Sequence, residues 1–506
     1  MNNKPSITLD KSKIQGINLN PVFGDLTNPA TMLSHIEQLT AETEAVKHAE
    51  ILQRLIEQFE PLDFEALANP NNGENFKLGT KHFLVITIEN LLSVAAHNRW
   101  GLCKNHDFIY LYNGAYWAEI EKEVFQKFLG EAAEQMGVAK FSARHYQFRE
   151  QLYKQFLATA YLPTPEPDSG KVLINLLNGT FEITAKGAQL RPFTPDDFIT
   201  YQLPFEYNPE AKAPTFQQYL NRVLPDTERQ RVLPEYLGFV FIKHGSNTLK
   251  EEKALILYGT GANGKSVFFE VINALLGAEN VSSFSLQSLT NENGYFRAKM
   301  ANKLVNYASE INSNLEASIF KQLVSGEPVE ARLPYGQPFM LKQYAKLIFN
   351  CNELPKDVEH TNAYFRRFLI IPFDVTIPEH EQDKTLHTKI IENELSGVFN
   401  WVLDGLNRLL EQKRFSDCDA AQKAVEQYRT ESDSVQMFLI EHEYSISAVG
   451  ETPLKQMFGE YRNYCIESGF KACSLRTFAD RLRNTGYQLN KKNYGQSVNA
   501  EKKLCF

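Results

Sequence analysis

Residues 259–266 read Gly259-Thr260-Gly261-Ala262-Asn263-Gly264-Lys265-Ser266, which fits the G-x-x-x-x-G-K-[ST] spacing of a phosphate-cradling loop. Glycines let backbone N–H groups turn inward around phosphate oxygens. Lys265 is placed to reach β- and γ-phosphates, and Ser266 to put its hydroxyl on Mg²⁺. The chemistry in prospect is ATP binding and hydrolysis. Hydrolysis needs an acid. Glu310, ending the run KLVNYASE, is the expected Mg²⁺ ligand through water and the group that orients the attacking water. Ser309 precedes it where a second acid would be useful, so one carboxylate covers both tasks or another acid contributes. Asn352, at the exit of Ala345–Asn352, is expected to sense the γ-phosphate, in preference to Asn350 one alternation back. Arg366 and Arg367 precede an apolar run; one of them is expected to meet a neighbouring subunit's γ-phosphate and offset transition-state charge.

These residues need strands and helices to position them. The apolar run 254–258 predicts a strand entering the loop, and 266–276 a helix leaving it. Further strands are expected at 304–307, 345–352 and 368–373, alternating with helices, which makes an α/β core. Glu310 then falls at the C-terminal end of its strand, where open α/β sheets bind ligands. The rest of the chain divides into four expected domains. Residues 1–80 are an arm and helix, and 81–210 a mixed α+β module. Residues 211–415 form the P-loop ATPase core, and 416–506 a basic C-terminal module. The boundary near 207–214 follows the pattern break YNPEAKAP.

Two segments have the composition of nucleic-acid contacts. Residues 329–333 and 339–342 flank Pro334-Tyr335-Gly336-Gln337-Pro338 and predict a hairpin. Arg332, Tyr335 and Lys342 on it are candidate contacts to a single strand, with cations for phosphate and an aromatic for stacking. Residues 453–506 carry ten Lys/Arg against four Asp/Glu, a balance of +6 in a chain of net charge −8. The remainder therefore sums to −14, which singles out this module for an anionic partner. Two helices, 453–466 and 474–485, then two strands around Asn493-Tyr494-Gly495, suggest a winged helix. Arg476, Arg481, Arg483, Lys491 and Lys492 are its candidate DNA contacts.

Composition removes other classes. The chain has 506 residues, 43% hydrophobic and 23% charged, which excludes collagen, rods and wholesale disorder. No apolar run approaches the roughly 18 residues of a membrane span. MNNKPSITLD lacks the apolar stretch of a signal peptide, and six cysteines without close pairing do not describe a disulfide scaffold. A reducing, cytoplasmic setting is expected. Cys103 and His106 are the nearest approach to a metal pattern, and no second pair follows at zinc spacing.

The order of motifs resembles a known family. The P-loop, NYASE, KQLVSGE, PYGQP, LIFNCNELP and NAYFRRF resemble the superfamily 3 helicase domain. More narrowly, they are similar to the phage/plasmid primase–helicase proteins related to the poxvirus primase–helicase. INLLNGTFEI, RPFTPDDF and LPEYLGFVF are similar to the module before the ATPase in that family, so the resemblance spans roughly 85–415. It implies an AAA+-like core, an ATP-driven ring, usually a hexamer, and movement along DNA during replication of a mobile element, with possible replication-protein partners. It also implies that Gly264, Lys265 and Ser266 bind phosphate and Mg²⁺, Glu310 is the Walker B acid, Asn352 the sensor, and Arg366 or Arg367 the arginine finger. The hairpin from Ala331 to Gln337 corresponds to its DNA-contacting element. Larger relatives carry a primase domain. No Asp-x-Asp or Asp-x-Glu pair stands on a plausible strand in the first 80 residues, so the family resemblance is expected to hold here without a primase catalytic domain. Two alternatives remain. One is a DNA-binding initiator or defence ATPase that uses ATP as a switch. The other is a P-loop small-molecule kinase, which has no need of paired arginines.

Overall fold

The computed structural model describes residues 47–69, 76–105, 108–160, 170–309, 311, 316–334, 336–355, 358–493 and 495–502. Glu310, Tyr335 and His106 lie outside them, as does the part before residue 47 of the helix expected within 1–80.

The first unit packs the helices His48–Ile56, Thr80–His97, Lys122–Gln135 and Tyr146–Thr159 against an antiparallel sheet. Its strands are β1 (Gly101–Asn105), β2 (Phe108–Tyr112) and β3 (Trp117–Ile120), in that order. The sequence pattern FIYLY is apolar throughout because β2 is buried on both faces. Ile109 and Leu111 face the helices, whereas Phe108, Tyr110 and Tyr112 face the next core. Two bonds from the Ala115 and Tyr116 amides to Asn113 Oδ1, 3.0 and 2.9 Å, close the turn into β3.

A second antiparallel sheet follows, β4 (Val172–Leu176), β5 (Gly179–Thr184) and β6 (Gly187–Arg191). From sequence, residues 171–206 read as strands broken at Asn178-Gly179 and Lys186-Gly187. Beyond Arg191 the chain instead runs irregularly, apart from one 3₁₀ turn at Pro195–Asp197. Its apolar residues Ile199, Tyr201, Leu203 and Phe205 join the core without a ladder. Residues on both sides of 207–214 share that core.

The central sheet is parallel. Its strands are β7 (Ala254–Tyr258), β8 (Val281–Ser282), β9 (Val305–Ala308), β12 (Lys346–Cys351) and β13 (Phe368–Pro372), with spatial order β13-β7-β12-β9-β8. The small antiparallel hairpin β10 (Val329–Ala331) and β11 (Phe339–Leu341) leads into β12. Both faces of the central sheet are covered, which is why its strands read as continuous apolar runs. Leu255 and Leu257 face the helices Pro214–Val223, Thr227–Phe239, Lys265–Leu276 and Leu386–Gln412. Ala254 and Ile256 face the aromatic side of β2, the helix Ala317–Ser325 and Tyr428 of the helix Asp419–Glu431.

The last unit has its own apolar core, beginning at Val435 and including Phe438, Tyr461, Phe478 and Leu482. Its helices are Ser434–Glu441, Leu454–Glu467 and Leu475–Asn484. β14 (Tyr444–Ile446) pairs with β18 (Ala500–Lys502), and β15 (Thr452–Pro453), β17 (Gly495–Val498) and β16 (Leu489–Lys492) form a second small sheet. Among the described residues no helix is long and apolar enough to cross a membrane.

Candidate functional site

All five strands of the central sheet point the same way, so their C-terminal ends share one edge. The 259–266 loop leaves β7 at that edge, and Asn352 follows β12 there; register pairs Cys351 with Tyr258. Loop geometry explains its residue types. Gly261, Ala262 and Gly264 all have positive φ, of 114°, 48° and 88°. A side chain at Gly264 would cost about 1–2 kcal/mol in backbone strain. Its Cβ would also stand 2.6 Å from Val223 Cγ1. Gly259 is confined by space rather than by φ, since a Cβ there would lie 2.3 Å from Asn263 Nδ2 and 2.6 Å from the Phe373 carbonyl oxygen.

Neighbouring elements hold the loop in place. The Gly259 amide donates to the Cys351 carbonyl at 3.1 Å, and the Ile377 amide to the Ala262 carbonyl at 2.7 Å. Tyr219 Oη donates to the Gly264 carbonyl at 2.8 Å, and Asn263 Nδ2 to the Phe373 carbonyl at 3.1 Å. Tyr219, Val223, Phe373 and Ile377 carry no sequence signal for this role, because their contact with the loop is made by folding over long separations.

Lys265 starts the twelve-residue helix Lys265–Leu276 and is buried at 7% exposure. Its ammonium donates to the Gly259 carbonyl at 2.5 Å, Asn263 Oδ1 at 3.2 Å and Asn352 Oδ1 at 3.3 Å. All three acceptors are neutral. Burial pulls its pKa below the ordinary lysine value, opposed by the nearby Cys351 thiol. Burial in turn pushes Cys351 up to about 12. Asn350 is engaged elsewhere, accepting from Tyr307 Oη at 3.0 Å in the core. Thus Asn352, not Asn350, meets Lys265. Thr260, Ser266 and Asn352 are exposed.

This donor set fits phosphate. A buried ammonium among neutral oxygens gains from an anion. The helix has no side-chain cap, so the amides of its first turn remain available to one. Ser266 is exposed beside them, with a hydroxyl that could ligate a metal ion.

The arginines lie elsewhere. Arg366 and Arg367 precede β13, and Phe368 pairs with Ala254 at the start of β7. They therefore occupy the N-terminal edge of the sheet. From Ala254 to Gly259 the strand rises roughly 16 Å at about 3.3 Å per residue, beyond an arginine's span. Neither can serve the loop of its own chain in this fold. Arg367 is buried, donating to Ser325 Oγ at 2.8 Å and to the Ala363 carbonyl. Arg366 is exposed, with 58% of its side chain accessible.

The proposed nucleic-acid residues also separate. Arg332 stacks on the Tyr295 ring and donates to its hydroxyl at 2.7 Å, whereas Lys342 is exposed. Arg297 pins the hairpin base through the Glu330 carbonyl at 2.8 Å and the Leu289 carbonyl at 2.9 Å. β12 joins the hairpin foot to Asn352. At that foot, buried Lys346 sits 3.0 Å from His244 Nδ1, and desolvation brings its amine down to about 7. In the last unit Arg476, Lys491 and Lys492 are exposed, Lys492 pairing with Glu451. Arg483 pairs with Asp480, and Arg481 is drawn 3.0 Å from Asp433.

Residues 92–225 match a family profile described as D5 N terminal like. Residues 257–367, which contain the loop, Asn352 and both arginines, match a family of unknown function, DUF5906. The chain is similar to a putative helicase of Acanthamoeba polyphaga mimivirus, 26% identical over 249 residues, covering 46% of this chain and 25% of that protein. It is likewise similar to a putative helicase of Invertebrate iridescent virus 6, 26% identical over 269 residues, covering 47% of this chain and 27% of that protein. The matched stretch thus spans about a quarter of each relative. Among solved structures, the apo C-terminal region of NrS-1 aligns over 83% of this chain and all of that one, at 12% identity and a TM-score of 0.46. The chain is thus similar, through a D5 N terminal like region and over a little under half its length, to viral proteins named putative helicases.

Proposed function

We propose that the protein is an ATP-dependent DNA helicase that assembles as a ring and moves along one strand. The observation that carries this reading is the convergence of Lys265 and Asn352 at the C-terminal sheet edge, over an uncapped helix start. In it, Gly259–Ser266 hold the phosphates of ATP, and Ser266 with Glu310 hold Mg²⁺. The bound ion offsets charge on the phosphate oxygens. Arg366, at the far edge of the sheet, meets the nucleotide of a neighbouring copy. The P-loop core is of AAA+-like superfamily 3 type, and the last unit is a winged helix. ATP turnover measured with and without single-stranded DNA tests the reading against a small-molecule kinase: stimulation by DNA supports the helicase, and indifference to DNA rejects it.

In the ring, Tyr335 and Lys342 touch the translocating strand. Stacking of one base on an aromatic contributes roughly 1–3 kcal/mol. The double variant Tyr335→Ala, Lys342→Ala should therefore weaken single-strand affinity at least about fivefold, with basal ATP turnover retained. Anisotropy of a labelled oligonucleotide reads the first, and phosphate release the second.

The last unit adds duplex affinity through Arg476, Arg483, Lys491 and Lys492. A chain ending at Ser432 should bind duplex DNA more weakly, with a flatter dependence on salt, since each lost phosphate contact removes about 0.9 from the log–log slope. Isotherms over a salt series check this; an unchanged slope would make the unit a structural cap.

A further inference from the structure

We infer that Glu252 is a positioning residue for Arg366, holding its guanidinium toward a phosphate bound by a neighbouring copy. The inference rests on reading 259–266 as an ATPase loop completed between copies. The start of β7 and the residues before it lie beside the two arginines. The Ala254 amide donates to the Arg367 carbonyl at 2.8 Å, and Lys253 Nζ to the Arg366 carbonyl at 2.6 Å. One oxygen, Glu252 Oε2, receives both side chains, Arg366 Nη2 at 3.2 Å and Arg367 Nη2 at 3.1 Å.

The two arginines use that oxygen differently. Arg367 has Ser325 Oγ and the Ala363 carbonyl as well, and only 9% of its side chain is accessible. It is an internal strut. Arg366 projects outward, and Glu252 is the side-chain partner seen for it among the described residues. A shared carboxylate oxygen and a half-exposed arginine make a pair that water screens and an anion can displace. A phosphate, with more charge and more acceptor oxygens, competes well for the same guanidinium. Glu252 thus limits where Arg366 points without trapping it, and that orientation is settled before the phosphate arrives.

The test compares Glu252→Gln, Glu252→Asp, Arg366→Ala and the double variant Glu252→Gln, Arg366→Ala. ATP turnover, sedimentation and Tm are measured on each full chain. Glu252→Gln should lower kcat by up to roughly 10²-fold, the scale for a misplaced group, with KM within about twofold. Glu252→Asp, which keeps the charge, should recover part of the loss. The double variant should turn over no more slowly than Arg366→Ala alone, because Glu252 acts through Arg366. Wild-type kcat in Glu252→Gln overturns the inference. So does a further fall in the double variant accompanied by a lower Tm, which would place the role of Glu252 in holding Arg367. Wild-type turnover by Arg366→Ala instead removes the underlying reading of a site shared between copies.

Discussion

Lys265→Ala should reduce ATP turnover by at least roughly 10²–10³-fold, the scale seen when one preorganised charge-stabilising group is removed. Lys265 is the buried cation of the site, and its ammonium is held within 3.3 Å of three oxygens that belong to the loop and to Asn352. Alanine removes the charge that would face the phosphates. It leaves the apolar helix face, Phe268, Val271, Ile272 and Leu275, in the core. The folded state should therefore survive, with far-UV circular dichroism unchanged. Nucleotide binding measured with a fluorescent ATP analogue should weaken in parallel with phosphate release. Wild-type turnover by this variant would remove the loop from the chemistry.

The second large effect is expected at Arg366. Arg366→Ala should lose on the order of 10³ in turnover, the lower range for an arginine supplied in trans. The geometry makes the assignment to a neighbouring copy testable by mixing. Arg366 sits at the N-terminal edge of the sheet and the loop at the C-terminal edge, so one chain cannot bring them together. An Arg366→Ala chain keeps an intact loop, and a Lys265→Ala chain keeps an intact arginine. Mixed oligomers contain some sites with both. Turnover of the mixture should exceed that of either variant alone. Full wild-type activity at dilutions holding only monomer would contradict this arrangement.

Much of the central sheet was legible because its chemistry is local in sequence. Gly264-Lys265-Ser266 stand between an apolar strand and a helix, and the spacing alone places the loop at their junction. The continuous apolar runs 254–258 and 368–372 reported strands covered on both faces. The segment after Arg191 misled because its aromatic and β-branched residues have strand-like composition. They pack into the core without ladder partners. Composition reports burial there and not pairing.

The finer points of the site depend on long-range contacts. Parity puts Asn350 and Asn352 on one side, and what separates them is long-range: the Tyr307 hydroxyl, 43 positions away, donates to Asn350, and Lys265, 87 positions away, to Asn352. Arg366 and Arg367 are adjacent and chemically alike. What distinguishes them is Ser325, 42 positions from Arg367, together with the Ala363 carbonyl, since Glu252 receives both. Arg481 looked like a surface cation of an amphipathic helix, yet Asp433, 48 positions away, draws it inward. No pattern within a helix announces such a partner.

Displacement of a labelled strand from a forked duplex tests the helicase reading most directly. The full chain is supplied with Mg²⁺ and either ATP or a non-hydrolysable analogue, and the released strand is followed over time. Release with ATP and none with the analogue is the predicted result, together with no release by Lys265→Ala. DNA-stimulated ATP turnover without strand release would contradict translocation and leave ATP acting as a switch on a DNA-bound protein.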